Sequence, residues 1–126
     1  MIVLDASVLI ALLVPQDAHH AAAETLVRTT TQELLVNTVT LAEALVAPIR
    51  EGRVDEVLDT LADLGVVEAP FPPDAARTLA RLRVGTGLKL SDCCVLLTAL
   101  GRDGAVASFD ERLLRAAREQ SVLPPP

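Results

Sequence analysis

Three acidic residues stand alone in stretches of apolar sequence. Asp5, Glu43 and Asp92 are each the only charged side chain across at least ten consecutive residues. An ionised carboxylate is costly to bury by itself, and it takes up a proton unless a partner neutralises it. The only basic residue close to any of them in sequence is Lys89. The pattern predicts that these acids converge on a shared positive partner that the sequence itself does not supply.

The elements predicted around these acids place them at one edge of a sheet. The apolar run at 2–4 is typical of a buried parallel strand, and Asp5 follows it directly. Asp92 opens an apolar helix, and Asp110 follows a strand predicted over 105–108. Several carboxylates in one crevice repel one another unless a divalent cation neutralises them. Mg²⁺ and Mn²⁺ prefer oxygen ligands, and carboxylates supply only oxygen atoms.

Each acid also has a purely structural interpretation. Asp92 follows Ser91, which is predicted to be an N-cap, and Asp110 precedes a predicted helix. Aspartate is a common residue at such helix starts. Glu43 stands three residues after Thr40, so the two would form a capping box with Thr40 as the N-cap. For these three acids taken singly, the structural interpretation is as good as the chemical one. For Asp5 the structural alternative is hydrogen bonding to nearby turn amides, and the chemical interpretation is favoured over it. The occurrence of all the acids in one chain favours the chemical one.

Short apolar strands alternate with helical patterns along the whole chain. Strands are predicted at 2–4, 34–36, 66–67, 105–108 and, at the sheet edge, 122–123; helices are predicted at 8–14, 19–28, 41–51, 54–64, 74–84, 92–100 and 111–120. Most strands are too far apart for hairpins, which indicates parallel βαβ units in a three-layer α/β/α sandwich with a short central sheet. A kink or break is expected at Pro48. With no linker or repeat, residues 1–126 are predicted to form one domain.

Composition narrows the functional classes. Hydrophobic residues make up 51% of the chain but aromatic residues only 2%, which argues against recognition of single strands by stacking on aromatic side chains. The net charge of -6 does not favour a nucleic-acid partner, unless a bound cation inverts the local sign.

Other features bear on the cellular setting. Cys93 and Cys94 are adjacent in a helical pattern and are not expected to pair with each other. His19 and His20 are expected to be surface residues without a metal role. The N-terminus lacks the pattern of a signal peptide, and no apolar run is long enough for a membrane span. These features predict a soluble cytoplasmic protein with reduced thiols and no membrane partner.

Four stretches together resemble the PIN domain family, and within it the VapC-type toxins of toxin–antitoxin systems. They are VLDASVLI at 3–10, TLAEAL at 40–45, LSDCCVLLTAL at 90–100 and ASFDERLL at 107–114. The resemblance implies a parallel sheet flanked by helices and hydrolysis of RNA that depends on Mg²⁺ or Mn²⁺. It also implies a catalytic set with the metal ligands Asp5 and Asp92, the further acids Glu43 and Asp110, and the supporting hydroxyls of Ser7 and Ser108.

The resemblance also implies partners. VapC-type toxins pair with a VapB-type antitoxin that covers the site, and they commonly form homodimers. The apolar helices between residues 41 and 64 are the expected contact region. Candidates for RNA contact are the basic residues Arg77, Arg81, Lys89 and Arg112. For any one of them, an ordinary solvated helix face is the commoner explanation.

Two other functions are left open by the residues. An aspartate-based phosphotransfer domain, such as a receiver or a haloacid dehalogenase-like phosphatase, also has an acid after its first strand. Those phosphatases usually need a second Asp where this chain has Ser7, and a receiver needs a late Lys, whereas the only Lys is Lys89. A PIN-like fold that no longer binds metal would be a binding module, and the presence of all four acids argues against it.

Overall fold

Four short parallel strands form the centre of the computed structural model, which describes residues 1–126. The strands are β1 (Ile2–Leu4), β2 (Leu34–Asn37), β3 (Val66–Ala69) and β4 (Ala105–Ala107), and their order in the sheet is β3-β2-β1-β4. All pairings are parallel, and Val3 of β1 lies opposite both Leu35 and Val106. Because β1 has a neighbour on each side, every one of its residues is apolar and buried.

Helices cover both faces of this sheet. They are α1 (Ala6–Leu13), α2 (His20–Thr29), α3 (Thr38–Arg50), α4 (Val54–Asp63), α5 (Ala75–Thr86), α6 (Leu90–Arg102) and α7 (Glu111–Glu119). Ile2 and Leu4 pack into an apolar cluster with α1 to α4, while Val3 packs on the opposite face with α5 to α7. This alternation follows from the two-residue period of a strand. The predicted three-layer arrangement around a short parallel sheet is confirmed.

The predicted start of α3 is wrong. Asn37 caps this helix: its side-chain oxygen accepts a hydrogen bond from the Thr40 backbone N–H at 2.9 Å. The Asn37 amide in turn donates to the Thr40 hydroxyl at 2.7 Å. Asn37 is both the last residue of β2 and the cap, so the strand passes into the helix without a loop. Thr40 lies inside the helix, which removes the capping-box interpretation of Glu43.

The start of α6 also differs from the prediction. Lys89 occupies the N-cap position and the helix begins at Leu90, so Ser91 is not the cap. The Lys89 carbonyl accepts hydrogen bonds from the backbone N–H groups of Asp92 and Cys93, both at 3.1 Å. Asp92 therefore lies in the first turn of α6, where the helix dipole favours a negative charge.

Three smaller expectations also need correction. Pro48 does not break α3, which continues to Arg50. Helix α5 runs on to Thr86, beyond the end predicted at residue 84. No strand forms at 122–123; the Leu123 carbonyl accepts a single hydrogen bond from the Val106 N–H at 3.1 Å. One hydrogen bond is too few to extend the sheet beyond β4.

The buried helix α6 dominates one face of the sheet and carries both cysteines, whose thiols are buried and free. No single helix is long and apolar enough to cross a membrane. Only α5 and α6 together, which meet at a bend of 113°, have the combined length and composition.

Candidate active site

Asp5 lies where β1 ends and α1 begins, and only 6% of its surface is exposed. Its Oδ2 atom accepts hydrogen bonds from the hydroxyls of Ser7 at 2.8 Å and Ser108 at 2.7 Å. No hydrogen bond reaches Oδ1, yet no buried side-chain oxygen or nitrogen lacks a partner, so Oδ1 opens to solvent. The protein thus fixes one oxygen of this carboxylate and leaves the other available to a ligand.

The two serines connect Asp5 to the loop after β4. The Ser7 hydroxyl oxygen accepts a hydrogen bond from the Phe109 N–H at 3.0 Å, and that of Ser108 accepts one from the Asp110 N–H at 2.9 Å. Each hydroxyl therefore accepts from the backbone and donates to the carboxylate, which defines where its proton points. This arrangement positions Asp5 and the Asp110 loop relative to each other.

Asp92 comes from the first turn of α6 and is 9% exposed. Burial is the main cause of the raised pKa of its carboxyl, and the negative charge of Asp5 is the next; Lys89 lowers this pKa, while Asp110 and Glu43 raise it further. Asp92 makes no side-chain hydrogen bond. The structure thus brings Asp5, Glu43 and Asp110 within electrostatic range of Asp92, and Lys89 is the only cation that acts against them there.

Glu43 and Asp110 form the exposed part of this acidic crevice. Glu43 projects from the second turn of α3, the helix that Asn37 caps. Asp110 is the N-cap of α7, and its Oδ1 accepts a hydrogen bond from the Arg112 N–H at 2.9 Å. The capping interpretation of Asp110 is therefore correct as far as Oδ1 is concerned. Its other oxygen makes no hydrogen bond, so capping does not prevent a second role.

The donor atoms fit a hard divalent cation, although no three His, Cys, Asp or Glu side chains are close enough to enclose one. Asp5 and Asp92 are both buried and both have oxygen atoms without a hydrogen bond. Mg²⁺ typically uses one or two carboxylates, keeps several waters and takes further oxygens from a phosphate. A pair of carboxylates in a crevice open to solvent therefore meets its requirements without a closed protein cage.

The predicted basic residues do not all gather at this crevice. Lys89 acts on the pKa of Asp92, as described above. Arg112 donates to the Gly87 carbonyl at 3.3 Å, next to the turn that leads into α6. Arg77 and Arg81 line a shallow groove on the exposed side of α5 and are not among the charges that act on Asp92. Of the four, only Lys89 thus acts on Asp92, while the Arg112 guanidinium binds the turn before α6.

One feature near the crevice was not anticipated. The His19 and Phe109 rings are stacked, with centroids 4.3 Å apart and planes inclined by 10°. Phe109 lies between the two residues whose side chains complete the site, Ser108 and Asp110. No local sequence signal pairs positions that are 90 residues apart (109 minus 19), so only the fold reveals this contact.

A groove of about 570 Å³ runs between α1, α3 and α4 and reaches Glu43. Its apolar lining includes Ile10, Leu13, Val14, Ala47 and Val57. Ile10 and Val14 are 44% and 41% exposed, which is high for large aliphatic side chains. The acidic crevice is thus continuous with an apolar surface on the side of α3.

The fold and the site together define an α/β protein with an acidic crevice at the carboxyl edge of a parallel sheet. The profile of the family described as PIN domain matches residues 2–119. The chain belongs to the PIN domain family. A sequence search among curated proteins finds no match.

Solved structures share this fold at low sequence identity. The VapC20 toxin of Mycobacterium tuberculosis, described as cleaving the sarcin–ricin loop, has a TM-score of 0.78 and 16% identity, over 92% of this chain and 95% of that one. A toxin–antitoxin complex from Klebsiella pneumoniae has a TM-score of 0.75 and 18% identity, over 87% of each chain. FitAcB from Neisseria gonorrhoeae has a TM-score of 0.70 and 22% identity, over 98% of this chain and 96% of that one.

Proposed function

We propose that this protein is a metal-dependent endoribonuclease and the toxin of a VapBC-type toxin–antitoxin module, acting in the cytoplasm. The observation that carries the proposal is the placement of Asp92, a buried carboxyl without a hydrogen bond whose pKa is raised by burial and by three other acids. Such a cluster is unfavourable unless a cation joins it. Membership of the PIN domain family, and toxins among the similar structures, support the same conclusion.

Each residue has a defined part in this proposal. Asp5 and Asp92 would hold Mg²⁺ or Mn²⁺; the Ser7 and Ser108 hydroxyls keep Oδ2 of Asp5 in place, which would leave Oδ1 free for the ion. The bound cation supplies Lewis acidity, which makes a coordinated water more acidic and offsets charge on the scissile phosphate.

The exposed acids Glu43 and Asp110 and the ammonium group of Lys89 act on the substrate side of the site. Glu43 makes no hydrogen bond and is exposed, so its carboxylate is free to orient the attacking water and accept its proton. Asp110 can assist through the oxygen that does not cap α7. Lys89 offers a positive charge to a substrate phosphate beside Asp92. Hydrolysis then adds water across one P–O bond of the RNA backbone.

The apolar groove that reaches Glu43 is the surface we assign to the antitoxin. Its exposed aliphatic side chains, Ile10 and Val14, are the kind of surface that a partner helix covers. Leu58, on α4 and 39% exposed, is a further candidate contact for the antitoxin or for a second copy in a homodimer. A partner in this groove would also block access to Glu43.

The test is cleavage of end-labelled RNA and of single-stranded DNA of the same sequence by partner-free protein, with Mg²⁺ or Mn²⁺ and with EDTA. The proposal predicts internal cuts in RNA that need the ion, and no cuts in DNA. If a folded sample cuts neither nucleic acid with either ion but still binds RNA, the protein is a binding module rather than a nuclease. Ion-independent cutting would contradict the role given to the acids.

A further inference from the structure

The stacked pair His19 and Phe109 lies where β4 ends, and its Phe109 backbone joins the hydrogen bonds that hold Asp5. The Phe109 N–H donates to the Ser7 hydroxyl, which itself donates to Asp5. The residue that carries the phenyl ring is therefore part of the hydrogen bonding around the Asp5 carboxylate. The Phe109 ring packs against the apolar cluster on the α1 side of the sheet. Its position is therefore defined both by backbone hydrogen bonding and by packing.

The His19 ring forms the outer layer of this stack. His19 is exposed, whereas Phe109 is only half-exposed, and one face of the imidazole rests on the Phe109 ring. Its backbone is held as well, because the His19 N–H donates to Oδ1 of Asp17 at 2.8 Å. The result is a flat, pre-positioned aromatic face at the rim of the site.

The stack is the only one between aromatic rings in the structure. The other Phe, Phe71, packs on the opposite face of the sheet, and the chain has no Trp or Tyr. His20, the next residue, has a structural contact instead, because its Nδ1 lies 2.8 Å from the Ala11 carbonyl oxygen. Of the two neighbouring imidazoles, only that of His19 is stacked on another ring.

We propose that the His19–Phe109 stack is a binding platform for one unpaired nucleobase of the RNA, next to the phosphate that the acids act on. The inference rests on the proposed nuclease function and adds a substrate requirement to it: the RNA must expose an unstacked base beside the cleavage site. Base–aromatic stacking is sequence-tolerant, because every base has a π-face. The low aromatic content argues against stacking along a whole strand, but the one stack formed here suffices for a single base. The platform would position RNA in a protein whose overall charge opposes binding.

The experiment compares binding of labelled oligoadenylate and of an abasic ribose-phosphate oligomer of equal length, by fluorescence anisotropy. Ca²⁺ is present to neutralise the carboxylates, and a gel verifies that the RNA stays intact. Wild type is expected to bind oligoadenylate more tightly than the abasic oligomer. His19→Ala should weaken binding of oligoadenylate about 5- to 150-fold, the range of one lost stacking contact, and leave binding of the abasic oligomer unchanged.

Two further variants separate stacking from folding. His19→Trp keeps an aromatic face and should restore the preference for oligoadenylate, whereas a structural role for the imidazole nitrogens would not be rescued. His20→Ala removes the neighbouring imidazole and should leave the preference unchanged. All variants are checked for an unchanged melting temperature. The platform is rejected if wild type binds both oligomers equally, if His19→Ala weakens both to the same extent, or if folded His19→Trp fails to restore the preference.

The outcomes also separate this inference from the nuclease proposal. Metal-dependent cleavage without any base preference in binding would reject the platform alone. A base preference that depends on His19, in a protein that cuts no RNA with either ion, would reject the nuclease function and keep the platform.

Discussion

The Ser108 hydroxyl donates to Oδ2 of Asp5 at 2.7 Å, across 103 residues of sequence. Together with the Asp5 N–H, which donates to the Ala107 carbonyl at 3.0 Å, it joins the ends of the two neighbouring strands β1 and β4. The first carboxylate is therefore oriented by residues from the last part of the chain. Groups that orient a metal-binding carboxylate affect function without touching the substrate.

Removing the hydroxyl of Ser7 or of Ser108 should lower the rate of RNA cleavage more than it lowers the stability of the fold. Ser108→Ala and Ser7→Ala each delete one hydrogen bond to Asp5, and we expect about a 10- to 100-fold loss of RNA cleavage, the usual effect of losing such a supporting contact. Ser91→Ala is the matched control, because Ser91 makes no side-chain hydrogen bond to the acids. Initial rates at several Mn²⁺ concentrations provide the measurement. Equal activity of all three variants would remove the serines from the site.

The buried carboxyl of Asp92 should make the metal-free protein less stable as pH rises. Its pKa in the folded protein lies above the ordinary value, mainly through burial and then through the charge of Asp5. The stabilising contribution of the protonated form is therefore complete below the ordinary pKa and is lost as pH rises through the raised one. Above that pH, the ionised group destabilises the fold.

Asp92→Asn removes this charge and should raise the melting temperature at neutral pH in EDTA, with little change in acid. Asp59→Asn, an exposed acid of α4, should change the melting temperature at neither pH. Thermal melts followed by circular dichroism across the two pH values test this. A lower melting temperature for Asp92→Asn at neutral pH would show that the carboxylate is stabilising, contrary to its raised pKa.

Loss of the cap at the start of α3 should destabilise the protein. Asn37→Ala removes both hydrogen bonds with the buried residue Thr40, and we expect a decrease in the free energy of unfolding of about 2 kcal/mol. Thr38→Ala, which loses only an exposed hydrogen bond to Glu68, should cost less than about 0.5 kcal/mol. Urea titrations with an unchanged m-value give both numbers. An equal decrease in the free energy of unfolding for the two variants would mean that the Asn37 cap does not stabilise α3.

The apolar groove should be needed for partner binding and not for cleavage. Ile10→Glu places a charge in the groove and should weaken co-purification with the cognate antitoxin at least tenfold, while the free protein still cuts RNA. Leu100→Glu is the matched control, because Leu100 is 42% exposed, close to the 44% of Ile10, but lies at the end of α6. Antitoxin retention by both variants alike would place the partner on another surface.

The acids could be found from sequence because burial of a lone charge is costly and therefore informative. Asp5 and Asp92 stand in apolar segments, and their predicted convergence agrees with the charges that raise the pKa of Asp92. The three-layer fold followed from apolar strands alternating with helices. These inferences depend on local patterns that persist in the folded chain.

The remaining features depend on contacts between distant or competing residues. Asn37 and Thr40 are both good N-caps, and only the direct passage from β2 into α3 decides that Asn37 takes this position. The stack of His19 on Phe109 has no sequence signal at all, because neither residue is unusual in its own segment. The core is aliphatic, as a chain with two Phe and no Trp or Tyr requires, but this composition does not reveal where Phe109 lies.

The most direct test of the account is RNA cleavage with Mn²⁺ by partner-free Asp5→Asn, with Asp59→Asn as the matched control. Asparagine keeps an oxygen that can accept the hydrogen bonds of Ser7 and Ser108 but removes the negative charge from the crevice. We predict that Asp5→Asn is folded and at least about 1000-fold less active, a loss similar to that from other disrupted catalytic centres, while Asp59→Asn retains wild-type activity. Wild-type rates for a folded Asp5→Asn protein would contradict the assignment of this crevice as the catalytic site.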